Sequence, residues 1–553
     1  MTCSLQEYKR WRRPALAAAL LLVSLGRAPQ SFMCARTMAA RPILPQQARL
    51  RHVQRTIRKE RRVEVACSAV TSLFGVDEVY AAALYGSTAL AVGLGTSTKP
   101  WSGRSVDASA PSQSLAPMFL PVWLLCVAGD WLQGPYVYAL YESYGLPRED
   151  IARLFVAGFG ASMAFGTFVG SWVDKMGRKR GCQLYCALYI FSCLTKHFGS
   201  FWVLLLGRIT GGIATSLLFV AFEAWLVREH QLQEGDSSAS VSAQARLRRV
   251  FAQMWFGSSL VAIVSGPLGD AAISLLPPTE GAWAFHYGGL TSAFDLAIIL
   301  LLIGLALLSS TWKEHDSVIV ENSSEATSIA PQELLQQGTQ AITTNTTLLA
   351  LMIVVTGFEG AMYGFIFNWT PALTAGAANP PALGTVFATL MLAYTSGSLV
   401  FQALGPEQQD DTALASADAV GGEGSPLQNS LFSLRAALLA APVALLASAA
   451  GLTALPADSP ERTAIVLGGF IVFEFCCGLY APSVSAIKGR LVPEELRSTI
   501  YSTYRAPMNA VVVAVLLWGA PPATCLVACG ALLGAAALAS SALPSSVSNT
   551  KKK

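Results

Sequence analysis

The sequence predicts an all-α integral membrane protein, and three observations predict it. Of its 553 residues, 53% are hydrophobic and 13% charged, where a soluble domain carries about 25% Asp, Glu, Lys and Arg. Apolar runs recur from residue 116 to 542, most of them near the roughly 20 residues that a helix needs to cross a ~30 Å hydrocarbon core. The runs fall into six plus six around a hydrophilic centre. The lipid bilayer is therefore the solvent for most of the chain.

Ahead of the core lies a basic extension, residues 1–66. Lys9, Arg10, Arg12 and Arg13 precede an apolar run at 14–25, and the small residues Gly26 and Ala28 follow it. That order fits a signal peptide with its cleavage zone. The stretch behind it, with Arg36, Arg41, Arg49, Arg51, Arg55, Arg58 and Lys59 and no acid before Glu60, is similar to an organellar transit sequence. The two together resemble bipartite targeting to a plastid of secondary origin. A disordered basic tail, or a start codon placed too far upstream, fits the same residues. Residues 67–96 can form one extra helix, and the Ser, Gly and Pro-rich stretch at 96–114 reads as a linker, so 67–115 stands apart from the core.

The first group of spans is predicted at 116–142, 151–173, 181–197, 201–228, 249–275 and 284–311, giving an N-terminal six-helix bundle over 116–311. A central loop, 312–346, separates it from spans at 347–371, 382–404, 430–453, 463–487, 499–519 and 521–542, a C-terminal six-helix bundle over 347–542. A basic tail, 543–553, ends the chain, and the acidic, Gly-rich stretch 410–425 reads as a flexible loop. Lys and Arg are retained on the cytoplasmic side of short loops. Lys175, Arg178, Lys179 and Arg180, then Arg246, Arg248 and Arg249, then Lys488, Arg490 and Arg497, and the terminal lysines all fall on one side if the core begins in the cytoplasm.

Other classes of function lack their residues. The net charge of +4 is small and its basic part is dispersed, which argues against nucleic acid. The five histidines are scattered without ligand spacing, and most of the eleven cysteines fall in or beside apolar runs, where they pack as small side chains. No metal, cofactor or catalytic group is expected. There is neither a nucleophile–base pair nor a phosphate loop, so an enzyme is not expected.

Between the second and third spans, Gly170, Asp174, Gly177, Arg178 and Lys179 stand in an order that resembles the conformational signature of the major facilitator superfamily. Leu206-Gly207-Arg208 resembles its fourth-helix motif, and Gly266-Pro267 its fifth-helix motif. One group within it fits best. Gly129-Asp130-Trp131-Leu132-Gln133-Gly134-Pro135-Tyr136-Val137-Tyr138, then Glu223-Ala224-Trp225, Asn368-Trp369-Thr370-Pro371, Cys477-Gly478-Leu479-Tyr480 and Tyr504-Arg505-Ala506-Pro507 resemble the molybdate-anion transporters. The resemblance runs from residue 120 to the last span. It implies the major facilitator fold, uptake of molybdate and residence in the plasma membrane, with a plastid envelope the alternative if the N-terminus is cleaved. A monomer is expected.

An ionisable group in a spanning helix costs roughly 2.5 to 3.5 kcal/mol on insertion scales, so such groups face a cavity and carry function. Asp130, Glu223, Glu359 and Glu474 are the buried carboxylates, candidates for proton coupling or ion pairing, with Asp130 and Glu359 foremost. Arg208 and Arg505 enter the membrane from opposite sides. A guanidinium offers a planar donor fork to a tetrahedral oxyanion. Arg208 and Arg505 are therefore the candidate anion ligands, with Gln133, Tyr136, Tyr138 and Asn368 as neutral donors; the competing reading pairs Arg208 with a carboxylate such as Asp130. Two other functions fit the same chain: a carrier or exporter of another small solute, and a non-transporting membrane sensor.

Overall fold

The computed structural model describes residues 115–166, 168–235, 240–281, 284–314, 339–377, 381–404, 426–492 and 497–544, with isolated positions between 80 and 91. The extension 1–66, the linker, the acidic stretch near 410 and nearly all of the basic tail lie outside the described residues, as do most of 67–96 and of the central loop.

The first span is one crossing made of two helices, α1 (Ala116–Trp131) and α2 (Val137–Ser143). Gly134-Pro135 breaks it, because Pro135 has no N–H to continue the ladder. The second is likewise divided, into α3 (Arg148–Gly166) and α4 (Val169–Met176), and α5 (Arg178–Thr195) follows after a single residue. That residue, Gly177, has φ 109°, and a Cβ there would lie 2.8 Å from the Glu314 carboxylate, so only glycine fits this turn. α6 (Phe201–Glu234), α7 (Val241–Leu275) and α8 (Thr291–Thr311) complete the first half. A two-stranded hairpin, β1 (Thr279–Glu280) and β2 (His286–Tyr287), joins the last two. The second half holds α9 (Thr346–Thr374), α10 (Leu383–Leu404), α11 (Pro426–Ala454), α12 (Pro460–Leu491), α13 (Arg497–Leu517) and α14 (Pro522–Ser540).

Several helices outrun the hydrophobic stretches that predict them. α6 and α7, at 34 and 35 residues, are each about 50 Å long at 1.5 Å per residue, against a core of ~30 Å. Hydropathy reads the part in lipid, whereas the backbone ladder continues into water. Arg246 and Arg248 thus belong to α7 and not to a loop, and Arg246 holds Glu234 at the tip of α6 with bonds of 2.9 and 2.6 Å. Lys488, read as a loop cation, likewise sits in the last turn of α12.

Among the described residues, eight helices, namely α6 to α12 and α14, are long and apolar enough to cross a membrane. The other crossings are the divided first and second spans, α5 and α13, of which α1 and the 503–517 part of α13 are apolar but short. Each of them carries polar groups: Asp130 and Arg148 half-buried, Tyr189 buried and Arg505 exposed.

Packing in the first half centres on an aromatic box near the cytoplasmic side. Trp225 stacks on Trp312 at 3.7 Å and donates its indole N–H to the Lys313 carbonyl, while Phe119, Trp123 and Phe222 close the box. In the second half Phe358 stacks on Tyr480 at 3.8 Å and Phe365 lies edge-on to Phe470. The conformational motif joins this frame. The Glu314 carboxylate accepts the backbone N–H groups of Lys179 and Arg180 at the head of α5, and Lys179 Nζ donates to the carbonyls of Ser309 and Trp312 at the tail of α8. Asp174 pairs with Arg178 at 2.9 Å on the surface. Gly170 lies beside Val220 of α6.

On the outer side, His197 in the α5–α6 turn bonds the His286 carbonyl through Nδ1 at 2.8 Å and Asp295 through Nε2 at 3.1 Å. Burial disfavours its charged form, but the Asp295 carboxylate and the His286 carbonyl outweigh burial and hold its pKa above the ordinary value. A raised imidazole pKa stabilises the fold fully below the unfolded value of about 6.5, and this contribution is lost as pH rises through the folded value. Thermal unfolding of the detergent-purified protein is expected to show stability falling as pH rises past neutrality, and Asp295→Asn to flatten that slope. An equal slope in the variant would show that this clasp is not its source.

Candidate functional site

The two halves meet on the outer side, and polar groups hold them there. Asp270, near the outer end of α7, reaches across to the first turn of α10. Its carboxylate accepts the backbone N–H groups of Gly384 at 2.9 Å and Thr385 at 2.7 Å, and the Thr385 hydroxyl at 2.9 Å. Tyr136, at the break in the first span, donates to the same carboxylate at 2.9 Å and lies 3.1 Å from the Gly266 carbonyl. A capping carboxylate of this kind is worth roughly 0.5 to 2 kcal/mol. The helices approach so closely that a Cβ on Gly266 would collide with the Gly384 carbonyl, and a Cβ on Gly384 with the Gly266 carbonyl.

A second contact lies between α2, α3 and α9. Arg148 donates to Asn368 Oδ1 at 2.5 Å and lies 3.4 Å from the Tyr138 hydroxyl, with its guanidinium 4.9 Å above the Phe367 ring. Phe367 meets Tyr138 and Phe155 edge-on at 5.5 and 5.3 Å, and deeper in, Phe159 meets Tyr363 at 5.0 Å. The Cys525 thiol of α14 sits against Arg148 and Asn368. Tyr138 and Asn368 therefore belong to this outer closure, and so does Tyr136. Gln133 turns back on its own helix, donating to the Gly129 carbonyl at 2.9 Å.

The charges inside the halves are arranged differently. In the first half Asp130 receives the Tyr189 hydroxyl, and Tyr189 stacks on Tyr185 at 5.4 Å. Arg208 donates its Nε–H to the Leu154 carbonyl at 3.2 Å and lies 4.7 Å over the Phe155 ring. Among the described residues it makes no ion pair, with Asp130 or with any other carboxylate. In the second half Glu359 accepts the Tyr480 hydroxyl at 3.2 Å, and Lys488 Nζ stands 3.8 Å from the carboxylate and 5.6 Å over the Tyr501 ring. Arg505, exposed on α13, acts electrostatically on both Lys488 and Tyr363. Glu474 is buried on α12 at 7% exposure, and Glu223 is half-buried toward the cytoplasmic end of α6.

The structure thus gathers Glu359 and Arg505 around Lys488 in the cytoplasmic part of the second half, and gathers Tyr136, Tyr138 and Asn368 at the outer junction. Arg208 stands in the first half beneath that junction. Arg148, Asp270 and Lys488 carry these clusters and are not among the sequence candidates. Asp270 had a signal, a carboxylate inside a predicted apolar span; Arg148 and Lys488 lie at or beyond predicted span ends, where a cation is ordinary.

Comparisons with known proteins agree with this architecture. The family model described as sugar transporters with 12 TM matches residues 79–414. A molybdate-anion transporter of Xenopus tropicalis is 30% identical over 391 residues, covering 71% of this chain and 76% of the relative. The Danio rerio molybdate-anion transporter is 28% identical over 424 residues, covering 73% and 79%. Among solved structures, an auto-inhibited POT family peptide transporter superposes with TM-score 0.56 at 12% identity, covering 80% of this chain and 99% of that one. A bacterial homologue of the iron transporter ferroportin does so with TM-score 0.53 at 13% identity, covering 78% and 98%. The chain is thus a multi-pass membrane transporter with two six-helix bundles, and it belongs to the major facilitator superfamily, in the family of the vertebrate molybdate-anion transporters.

Proposed function

We propose that this transporter takes up molybdate by alternating access, as a monomer in the plasma membrane. The observation that carries the reading is that each half brings a cation to its helices: Arg208 beneath the outer junction in the first, Arg505 with Lys488 in the cytoplasmic part of the second. Cations on both halves suit a dianionic oxyanion passed between bundles as they rock. The relatives named for molybdate support the same cargo. Arg208 and Arg505 hold the anion in this reading, and Gln133, Tyr136, Tyr138 and Asn368 add neutral donors. Tyr136, Tyr138 and Asn368 are occupied by Asp270 and Arg148 while the outer face is shut, and opening releases them toward an incoming anion.

Proton coupling falls to the carboxylates. Asp130 and Glu359 each accept a tyrosine hydroxyl, and each lies in the first crossing of its half, where a change of protonation alters a bond between helices. Glu474 and Glu223 serve as secondary proton or pairing groups. The family description as sugar transporters favours a second reading, a carrier of a neutral organic solute. Tungstate, which matches molybdate in shape and charge, competes only under the first.

Two experiments test this. In vesicles holding the purified protein, Arg208→Gln and Arg505→Gln are each expected to lower molybdate uptake at least about tenfold, the equivalent of one charge-assisted hydrogen bond. Parent-like uptake in both variants would remove the cationic site, and uptake indifferent to collapse of the pH gradient would remove the proton role of Asp130 and Glu359. For alternating access, Gly266→Val is expected to hold the outer face apart. Cys525 should then react faster with a membrane-impermeant thiol reagent added outside, as read by peptide mass spectrometry, while uptake falls. An unchanged labelling rate would mean that the Gly266–Gly384 crossing does not close the outer face.

A further inference from the structure

A second polar cluster lies within the first half and takes no part in the outer closure. Lys196 ends α5 on the outer side with 1% exposure, and its Nζ reaches the Ser192 carbonyl at 3.3 Å. It stands 5.8 Å from the ring centre of Tyr141 on α2. Tyr141 is fully buried, and its hydroxyl has no hydrogen-bond partner among the described residues. Arg208 on α6 acts electrostatically on both Lys196 and Tyr141. The residue before it, Gly207, passes so near that a Cβ there would lie 3.1 Å from Lys196 Nζ.

No carboxylate answers these cations. Among the described residues neither Lys196 nor Arg208 makes an ion pair. Asp130 and Asp295, the acids that act on neighbouring Cys193, are engaged elsewhere, Asp130 by Tyr189 and Asp295 by His197. The remaining neighbours of Lys196 are its own Cys193 and Tyr144 of the α2–α3 turn, which donates to the Lys196 carbonyl at 2.5 Å. Buried cations are ordinarily paired, and buried hydroxyls ordinarily bonded. Here a buried amine and a buried phenol lie together against α6, and Arg208, one position beyond Gly207, has terminal nitrogens with no hydrogen-bond partner among the described residues; all three groups are donors. An anion would satisfy all three at once.

We propose that Lys196, Arg208 and Tyr141 form a binding site for a small inorganic anion inside the first half, beneath the outer closure. The proposal rests on the reading of Arg208 as an anion ligand and adds two residues to it. The chemistry fits the cargo oxyanion on its way inward or a resident halide equally, and measurement separates them.

The test uses the full-length protein in detergent, with thermal unfolding and radioligand binding measured against molybdate and chloride. The parent is expected to be stabilised by at least one of the two. Lys196→Met should weaken that anion's binding at least about tenfold, Lys196→Arg should retain it, and Tyr141→Phe should weaken it to a lesser degree while leaving the cations in place. Stabilisation by molybdate makes the occupant the cargo; stabilisation by chloride alone makes it a resident halide. Lys196→Met or Tyr141→Phe protein that elutes monodisperse and binds like the parent overturns the site, as does a parent that neither anion stabilises. Vesicle uptake keeps the two proposals distinct. Where molybdate is the stabilising anion, uptake that persists in Lys196→Met with parental affinity ends this proposal and spares the transport reading, whereas anion-dependent stabilisation without molybdate uptake does the reverse.

Discussion

An amide N–H at the head of a helix has no partner within that helix, and near a membrane core the want of one is costly. At the head of α10 the partner comes from the opposite half of the molecule, because Asp270 of α7 accepts Gly384 and Thr385 together. Much follows from this one bond set. It brings α7 and α10 close enough that only glycine fits at the crossing, it recruits Tyr136 at the break of the first span, and it sets that break against the second half. The first crossing is therefore irregular where protein covers it, as a broken helix in a bilayer must be.

The same logic sorts the charges by depth. Outer groups bridge the halves: Asp270 to α10, Arg148 to Asn368. Cytoplasmic ones stay within a half, since Glu359 and Lys488 share the second, and Glu314 and Lys179 tie α5 to α8 in the first. In the proposed alternating cycle the outer bonds are those that break, while the inner ties keep each bundle rigid.

Much of this was legible in the sequence, and the limits have physical causes. The helical membrane fold could be read because apolar length records the lipid directly, and the family because motifs such as Gly170 to Lys179 and Gly129 to Tyr138 resemble it. Asp130, Glu359 and Arg505 stood out as charges within apolar runs. Arg148, Lys196 and Lys488 did not, since a cation at a span end is what any membrane helix has. Asp270 lay inside a predicted span, yet its meaning depends on Gly384 and Thr385, more than a hundred residues away and in the other half. Hydropathy also shortened α6 and α7, because it measures contact with lipid and not the reach of the hydrogen-bond ladder.

The broken first crossing of the core has a consequence for synthesis. α1 and α2 form the first crossing to leave the ribosome, and that crossing carries Asp130 and a Gly-Pro break. The surfaces that bury α1 belong to α7 and α8, translated more than a hundred residues later. Until those surfaces exist the break and Asp130 lack their packing partners, so the first half settles as a cooperative unit rather than helix by helix. Biogenesis is thus constrained by the very groups that equip the finished protein for transport.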